Sequence, residues 1–396
     1  MSGLITPAQA AGLIAQRCQP LGRQSVELTH ALGCILARDI YAERDSPPFD
    51  RVAMDGIAVR GAELHHTRTF TLAGVVAAGH APPATCPEGS AYEVMTGAML
   101  PTMLDTVVPV EHLEVADGKA TIKADCVVTQ GQNIHRRGVD AQSGQLVLKA
   151  HSRLSAPDLA IAASANQSRL EVFKKPSVVI VTTGDELVEP GAPIEAWQIR
   201  RSNVHAIRAS LIQHGIHDVA DEHLADTLEP MTERLAALVN THAMVILSGG
   251  VSAGRFDYVP KALQRAGVVP AFHKVAQRPG KPLWFGSTPS GTLVFGLPGN
   301  PVSTAVCMAR YVRHALDRLQ GFDATLPRRV LLNEDCQNPS TLWHFRPVGP
   351  TPNGDWQVFS TQGSGDFHAL QGTWGCIEIP PHTQLTAHTP VDFYPW

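Results

Sequence analysis

The chain has 396 residues, of which 44% are hydrophobic and 17% charged, and a formal net charge of −4. This is too long for one simple core, so we expect two to four domains, and the small charge without a basic block argues against a nucleic-acid partner. Without a membrane-length apolar run, a secretory signal or a Cys-x-x-Cys pair among seven cysteines, the sequence predicts a cytoplasmic protein that has neither membrane span nor structural zinc.

The first 175 residues predict helical pieces that surround a small β domain. Thr6 to Gln9 forms a capping-box sequence with Pro7 at the first helical position, which predicts a helix to about Arg17. A second helix is predicted over residues 28–36, and helical spacing resumes over 154–164. Between them, short alternating runs predict an inserted β domain. These runs are residues 69–76, 91–96, 106–110 and 119–128.

From residue 177 onward, apolar runs alternate with amphipathic stretches. The predicted strands are residues 178–182, 217–220, 244–247 and 293–296. The predicted helices are residues 202–214, 228–240, 258–266 and 302–319. This alternation predicts a parallel sheet with right-handed crossovers. After Gly321, short strands and turns return and predict a C-terminal β domain.

Two loops that follow predicted strands carry residues suited to an anion and a cation. Ligands of a parallel sheet lie outside the carboxyl ends of its strands. The first loop, Thr183-Gly184-Asp185-Glu186, offers a hydroxyl, a glycine and two carboxylates, which suit a hard cation such as Mg²⁺. The second, from Ser248-Gly249-Gly250 to Asp257, lets backbone amides approach an anion and places a carboxylate nearby. The alternatives are an acidic first helical turn and a tight turn without a ligand.

A third loop and a cationic stretch complete the candidate site. In Pro298-Gly299-Asn300-Pro301, Asn300 is expected to cap the following helix, whose N-terminus then faces an anion. Arg278 and Lys281 lie in a proline-rich stretch and suit an oxyanion. The sequence has no P-loop, dinucleotide-binding fingerprint or nucleophile elbow. The pattern therefore indicates metal-assisted chemistry on a phosphate-bearing ligand.

These loops, in this order, resemble the molybdopterin molybdenumtransferases, namely the MoeA type of bacteria and the E domain of gephyrin. The resemblance covers nearly the whole chain, through motifs at residues 48–56, 95–98, 131–138, 183–187, 202–203, 248–252, 279–282, 296–303 and 362–364. It implies a multidomain α/β protein with a MogA/MoaB-like parallel-sheet α/β domain, a helical/β N-terminal domain, an inserted small β domain and a C-terminal β domain. The predicted domains are residues 1–45 with 141–175 (dimerisation), 46–140 (inserted β), 176–320 (α/β) and 321–396 (C-terminal β).

The resemblance also implies an activity. Members of the family insert molybdate into adenylylated molybdopterin with release of AMP, depend on Mg²⁺ and form homodimers. The implied partners are a MogA-type molybdopterin adenylyltransferase and apo-molybdoenzymes or their chaperones. The alternative is a non-catalytic paralogue that binds molybdopterin or an oxyanion as a carrier, regulator or scaffold.

Site roles follow from the resemblance residue by residue. It implies metal binding by Glu186 and Asp257, and catalytic roles for Asp55, Thr96, Asp226 and Asp257. The implied molybdate pocket consists of Arg278, Lys281, Ser303, Arg346 and Ser364. The other implied cofactor-binding residues are Thr183, Gly184, Asp185, Ser248, Gly249, Gly250, Pro298, Gly299 and Asn300. The sequence departs from the family pattern at Val139, Arg255 and His368-Ala369, and the positive charge of Arg255 predicts weaker Mg²⁺ binding.

Overall fold

The computed structural model describes residues 4–251, 258–322 and 327–396. Helix α1 (Pro7–Arg17) begins at Thr6, as predicted, with a reciprocal capping box. The Thr6 hydroxyl accepts from the amide of Gln9 at 3.2 Å, and the Gln9 side chain accepts from the amide of Thr6 at 2.8 Å. The buried face of α1, Ala10 and Ile14, joins the core of the α/β part of the chain.

Replacing Thr6 by alanine should lower the free energy of unfolding by about 1 kcal/mol, because the amide of Gln9 loses its acceptor. Chemical denaturation of the purified protein measures this change. Thr227→Ala is the matched control, since Thr227 precedes a helix without making a side-chain capping bond. Equal losses in both variants would show that the capping box does not stabilise α1.

The predicted helix over residues 28–36 is wrong. Strand β1 (Arg23–Glu27) leads into a single 3₁₀ turn, Leu28–His30, and an extended segment that continues to β2 (Ile40–Tyr41). Ile35 and Leu36 form bridges with distant residues of the same part of the chain and are buried. Tertiary pairing thus overrides the helical spacing of the apolar residues.

The strands of the inserted segment are β3 (Arg51–Val52), β4 (Gly56–Val59), β5 (Thr69–Val76), β6 (Ser90–Val94), β7 (Thr106–Pro109), β8 (Leu113–Ala116), β9 (Lys119–Ile122) and β10 (Ile134–His135). Six of them form one sheet in the order β7-β4-β6-β5-β9-β8. The β character predicted for this segment is confirmed. The predicted run over 119–128 is in fact one strand followed by turns.

The chain then returns to the elements that precede the insertion. These are β11 (Leu146–Leu148), α2 (Ala156–Ser164) and β12 (Arg169–Phe173). β11 pairs with β2, and β12 pairs with β1 along its whole length. The inserted β domain therefore interrupts one folded unit, which agrees with the predicted order; the domain boundaries themselves stay a prediction.

The α/β part contains the elements β13 (Val178–Thr183), β14 (Leu187–Val188), β15 (Ile199–Arg200), α3 (Asn203–Gln213), β16 (Val219–Leu224), α4 (Leu228–Thr241), β17 (Met244–Ser248), α5 (Val259–Arg265), β18 (Val269–His273), β19 (Gln277–Arg278), β20 (Trp284–Ser287), β21 (Leu293–Leu297), α6 (Pro301–Cys307) and α7 (Arg313–Leu319). A six-stranded mixed sheet in the order β16-β13-β17-β21-β20-β18 forms its centre. A π-helical turn, Met308–Val312, joins α6 to α7.

The parallel sheet predicted from sequence is confirmed for the first four strands, β16, β13, β17 and β21. The other two strands were not predicted: β20 pairs antiparallel with β21, and β18 pairs antiparallel with β20. β16 lies at the edge of the sheet and runs later than the predicted 217–220. Its polar residues Asp221 and Glu222 pair with arginines rather than enter the core, which hides the strand from an apolar pattern.

The C-terminal part is a β domain, as predicted, and it is continuous with the α/β part. Its strands are β22 (Arg328–Leu331), β23 (Cys336–Asn338), β24 (Trp343–Pro350), β25 (Trp356–Val358), β26 (Gly375–Ile379), β27 (Thr383–Leu385) and β28 (Pro390–Pro395). β19, which precedes the proline-rich stretch, pairs in parallel with β24. Among the described residues, no helix is both long and apolar enough to span a membrane.

Candidate functional site

Three strand-end loops meet at one edge of the sheet. Thr182 lies opposite Ser248, and Ser248 lies opposite Leu297, because β13, β17 and β21 are parallel and in register. The loops that follow these strands line a cavity of about 640 Å³. The structure therefore brings together most of the residues predicted at strand ends. Those that line the cavity are Thr183, Gly184, Glu186, Asp226, Ser248, Gly249, Gly250, Pro298, Gly299 and Asn300.

The first loop places oxygen atoms at the cavity wall. The carboxylate of Glu186 folds back over Gly184, so that a Cβ atom at Gly184 would lie 2.7 Å from Glu186 Oε2. The hydroxyl of Thr183 is buried and has no hydrogen-bond partner among the described atoms. Asp185, also predicted as a ligand residue, is exposed and does not line the cavity. An unpartnered buried hydroxyl in a cavity wall that also carries a carboxylate indicates a place for a polar ligand.

The second loop can close on the first only because it contains glycines. Gly250 has a φ of +65°, and a Cβ there would lie 2.9 Å from Thr183 Oγ1 and 2.6 Å from Val259 Cγ2. Gly249 has a φ of +102°, and its Cβ would lie 2.9 Å from the carbonyl oxygen of Thr183. Any side chain at these positions would force the two loops apart.

Asn203 connects the second and third loops, a role that the sequence analysis missed. Its amide nitrogen donates to Ser248 Oγ at 2.9 Å and to the carbonyl oxygen of Gly299 at 2.8 Å. Asn203 is the first residue of α3, which points this side chain towards the ends of β17 and β21. Its place in the Ser202-Asn203 motif was the available signal.

Two arginines at the cavity were also missed. Arg201 is only 7% exposed, and it donates to Thr182 Oγ1 at 2.6 Å and to Asp221 Oδ2 at 2.9 Å. Arg200 holds the preceding loop through two backbone carbonyls, those of Glu189 and Ala192. Arg201 is also paired with Glu189, so its charge is offset by carboxylates, whereas the positive charge of Arg200 at the cavity wall suits an anionic ligand.

The third loop connects the cavity to the C-terminal domain. Asn300 stands at the start of α6, but the predicted side-chain cap is wrong, because the side chain makes no capping bond. Its amide nitrogen instead donates to Ser364 Oγ at 2.7 Å. The amide of Val302 also donates to the carbonyl oxygen of Ser364, at 3.1 Å. The helix start is thus fixed to a loop of the C-terminal domain.

A second cleft, of about 440 Å³, lies between β19 and the C-terminal domain. Three of the five residues of the implied molybdate pocket, Arg278, Arg346 and Ser364, line it. The other two do not: Lys281 is exposed and Ser303 is buried within α6. His344, which the sequence analysis missed, also lines this cleft. Partial burial, together with the charges of Arg278 and Arg346, lowers the pKa of His344 to about 4.

Asp55 and Thr96 contact each other in the inserted β domain. Asp55 Oδ1 accepts from the Thr96 hydroxyl at 2.7 Å and from its amide at 2.6 Å. These hydrogen bonds hold the pKa of Asp55 below its usual value. Neither residue lines the cavity or the cleft within this single chain.

Asp257 and Arg255 lie outside the described residues, so their predicted roles stay predictions. Within the described ranges, no cluster of three or more histidine, cysteine or acidic side chains could hold a metal ion. The cavity nevertheless offers the carboxylates of Glu186 and Asp226 and the buried hydroxyl of Thr183. Oxygen ligands of this kind, completed by water, fit Mg²⁺.

An oxygen-lined and cation-lined cavity at the carboxyl ends of parallel strands defines a protein that binds an anionic ligand at a sheet edge. Residues 5–166 match the family model of the MoeA N-terminal region (domain I and II), and residues 179–318 match that of a probable molybdopterin binding domain. A molybdopterin molybdenumtransferase of Synechocystis sp. PCC 6803 is 35% identical over 401 residues, covering 99% of this chain and 100% of the relative.

Other relatives agree. A molybdopterin molybdenumtransferase of Haemophilus influenzae Rd is 34% identical over 76% of this chain and 74% of its own. A crystal structure of the molybdopterin biosynthesis protein MoeA from Pyrococcus horikoshii OT3 superposes with a TM-score of 0.83, at 26% identity over 100% of both chains. The chain belongs to the molybdopterin molybdenumtransferase family, whose members are transferases of molybdenum cofactor biosynthesis. The non-catalytic alternative is not favoured.

Proposed function

We propose that this protein inserts molybdate into adenylylated molybdopterin and releases AMP in a Mg²⁺-dependent reaction. The observation that carries the proposal is the direct connection between two anion sites of different character. The cavity at the strand ends suits phosphates, and the cationic cleft suits a tetrahedral oxyanion. Asn300 and Ser364 join them through a hydrogen bond of 2.7 Å, so bound ligands would lie on either side of this pair.

Different residues of the chain bind ligands in the cavity and in the cleft. The amide of Gly250 and the positive charge of Arg200, which bonds to backbone carbonyls, favour phosphate oxygens in the cavity. Glu186 would hold Mg²⁺ together with Asp257, which lies outside the described residues, and the bound ion would supply positive charge that neutralises phosphate oxygens. Asp226 would lie near the nucleotide. Arg278, Arg346 and Ser364 hold molybdate in the cleft by ionic and hydroxyl hydrogen bonds.

We also propose that the active form is a homodimer. In the single chain, the Asp55–Thr96 pair lies in the inserted β domain and lines neither site. A second copy would allow this pair to act at the neighbouring subunit's cavity. The proposed partners are a MogA-type molybdopterin adenylyltransferase, which supplies the adenylylated substrate, and apo-molybdoenzymes or their chaperones, which receive the product.

Purified protein supplied with adenylylated molybdopterin, Mg²⁺ and molybdate tests the reaction. We expect AMP release that requires both Mg²⁺ and molybdate, measured by chromatography of the nucleotide. Omission of molybdate and chelation of Mg²⁺ are the controls. Tight binding of the adenylylated substrate without AMP release would contradict the proposal and support a carrier.

Replacing Glu186 by glutamine should raise the Mg²⁺ concentration needed for half-maximal AMP release by about tenfold, because one anionic ligand is lost. A Mg²⁺ titration of the reaction measures this. Glu195→Gln is the matched control, since Glu195 is an exposed carboxylate of the following loop and does not line the cavity. A titration of Glu186→Gln that coincides with that of the control would remove Glu186 from the metal site.

A further inference from the structure

His344 lies between the two arginines of the cleft. His344 and Arg346 are two residues apart on β24, so their side chains stand on the same face of the strand. Phe345, between them, points the other way and is buried against Val306. Arg278 lies directly opposite His344 in the parallel pair of β19 and β24. The sheet therefore presents three nitrogen-bearing side chains to one cleft.

Contacts within the cleft show which groups act on the imidazole. Arg278 Nη2 lies 3.4 Å from His344 Nδ1 and 3.4 Å from Asn338 Oδ1. A guanidinium group can only donate, so Nδ1 acts as the acceptor in this contact, and the ring is neutral. On the other side, β26 places the apolar residue Ile379 opposite His344.

The remaining wall of the cleft carries no charge. It is formed from the segment 359–364, whose side chains are apolar, hydroxyl or amide groups. In the described part of the chain, the charged groups that act on His344 are Arg278 and Arg346, and both disfavour a proton on the ring. A neutral imidazole between two cations is the state expected before an anion enters.

We propose that His344 is a third oxyanion-binding group of this cleft, which takes up a proton when a tetrahedral dianion such as molybdate binds beside Arg278 and Arg346. The proposal rests on the proposed function, because it takes the cleft as the molybdate site. A dianion offsets the two positive charges that keep the imidazole neutral. The protonated ring then gives the oxyanion a further charged donor.

This coupling makes molybdate binding depend on pH. A bound dianion raises the pKa of His344 above its value of about 4 in the free protein. The affinity for molybdate that this proton adds is fully present below the pKa that His344 has in the free protein. It is lost as pH rises through the pKa that His344 has in the complex. Near neutral pH, binding should take up protons from the buffer.

Isothermal titration calorimetry of the full chain with sodium molybdate tests the proposal. The titrations are run between about pH 6 and pH 8, in two buffers of different ionisation enthalpy. For the wild type we expect net proton uptake and roughly tenfold weaker binding at the upper pH. His344→Phe, which cannot take a proton, should bind without this uptake and vary less than about twofold. His217→Gln is the matched control, since it removes an exposed histidine that does not line the cleft.

A further variant separates this inference from the assignment of the cleft. If Arg346→Gln loses molybdate binding while His344→Phe takes up as many protons as the wild type, the assignment of the cleft as the molybdate site is supported and the role of His344 is refuted. If Arg346→Gln binds molybdate as well as the wild type does, the cleft is not the molybdate site and both proposals fail. Proton uptake is the deciding readout, because a merely structural role of His344 would not remove it.

Discussion

Replacing Arg346 by glutamine should lower kcat/KM for molybdate by roughly 100-fold, the largest effect that we expect on activity. Arg346 lines the cleft from β24, and its guanidinium group supplies charge and paired donors that an amide cannot match. Two charge-assisted hydrogen bonds contribute about 3 kcal/mol together, which corresponds to about two orders of magnitude in rate at limiting molybdate. The measurement is AMP release over a range of molybdate concentrations.

The loss should be specific to the oxyanion. The Michaelis constant for adenylylated molybdopterin should change little, because Arg346 does not line the strand-end cavity. Arg329→Gln is the matched control in the same domain, since Arg329 is 70% exposed and pairs with Asp392 at 3.3 Å. A Michaelis constant for molybdate that stays the same in Arg346→Gln would place the oxyanion elsewhere.

The sequence was most informative where local pattern and burial agree. The strands beginning at Val178, Met244 and Leu293 are apolar on both faces, and each ends in a glycine-containing or hydroxyl-containing loop. Such runs are buried only in a sheet covered by helices on both sides, so their order predicts adjacent loops at one edge. The cavity could be anticipated for this reason, before its dimensions were known.

The sequence failed where distant segments decide the structure. Residues 28–36 have helical spacing, yet Leu36 pairs with Val172 of β12 and is extended. The edge strand β16 carries Asp221 and Glu222, whose charges are matched by arginines from other elements. Neither outcome follows from local propensity: the first depends on a pairing across more than a hundred residues, and the second on arginines 12 to 20 residues away.

The cleft could be predicted only in part. Arg278 and Arg346 were named through the resemblance, but His344 was not, because its role depends on the pairing of β19 with β24. Lys281 and Ser303 were named through the same resemblance, yet Lys281 is exposed and Ser303 is buried in helix α6. A motif shows which residues lie near a site; the direction of each side chain is set by register and helix phase.

An ion pair joins the α/β part to the C-terminal domain, and breaking it gives the largest effect that we expect on stability. Arg310 Nε donates to Glu378 Oε2 at 2.8 Å, and each side chain is only 13% exposed. The guanidinium carbon of Arg310 also lies 4.7 Å from the ring centre of Tyr394. Arg310 belongs to the π-helical turn after α6, and Glu378 to β26, which pairs with β24.

Glu378→Ala should lower the free energy of unfolding by about 3 to 5 kcal/mol, because it leaves a buried guanidinium group without its anion. Asp392→Asn, which breaks the exposed pair with Arg329, should cost less than about 1 kcal/mol and is the matched control. Chemical denaturation measures both. The double variant Arg310→Met with Glu378→Leu should recover most of the loss, since it removes both buried charges. If Glu378→Ala costs no more than Asp392→Asn, the ion pair does not hold the two parts together, and the pairing of β19 with β24 and the Asn300–Ser364 contact must set the geometry of the cleft.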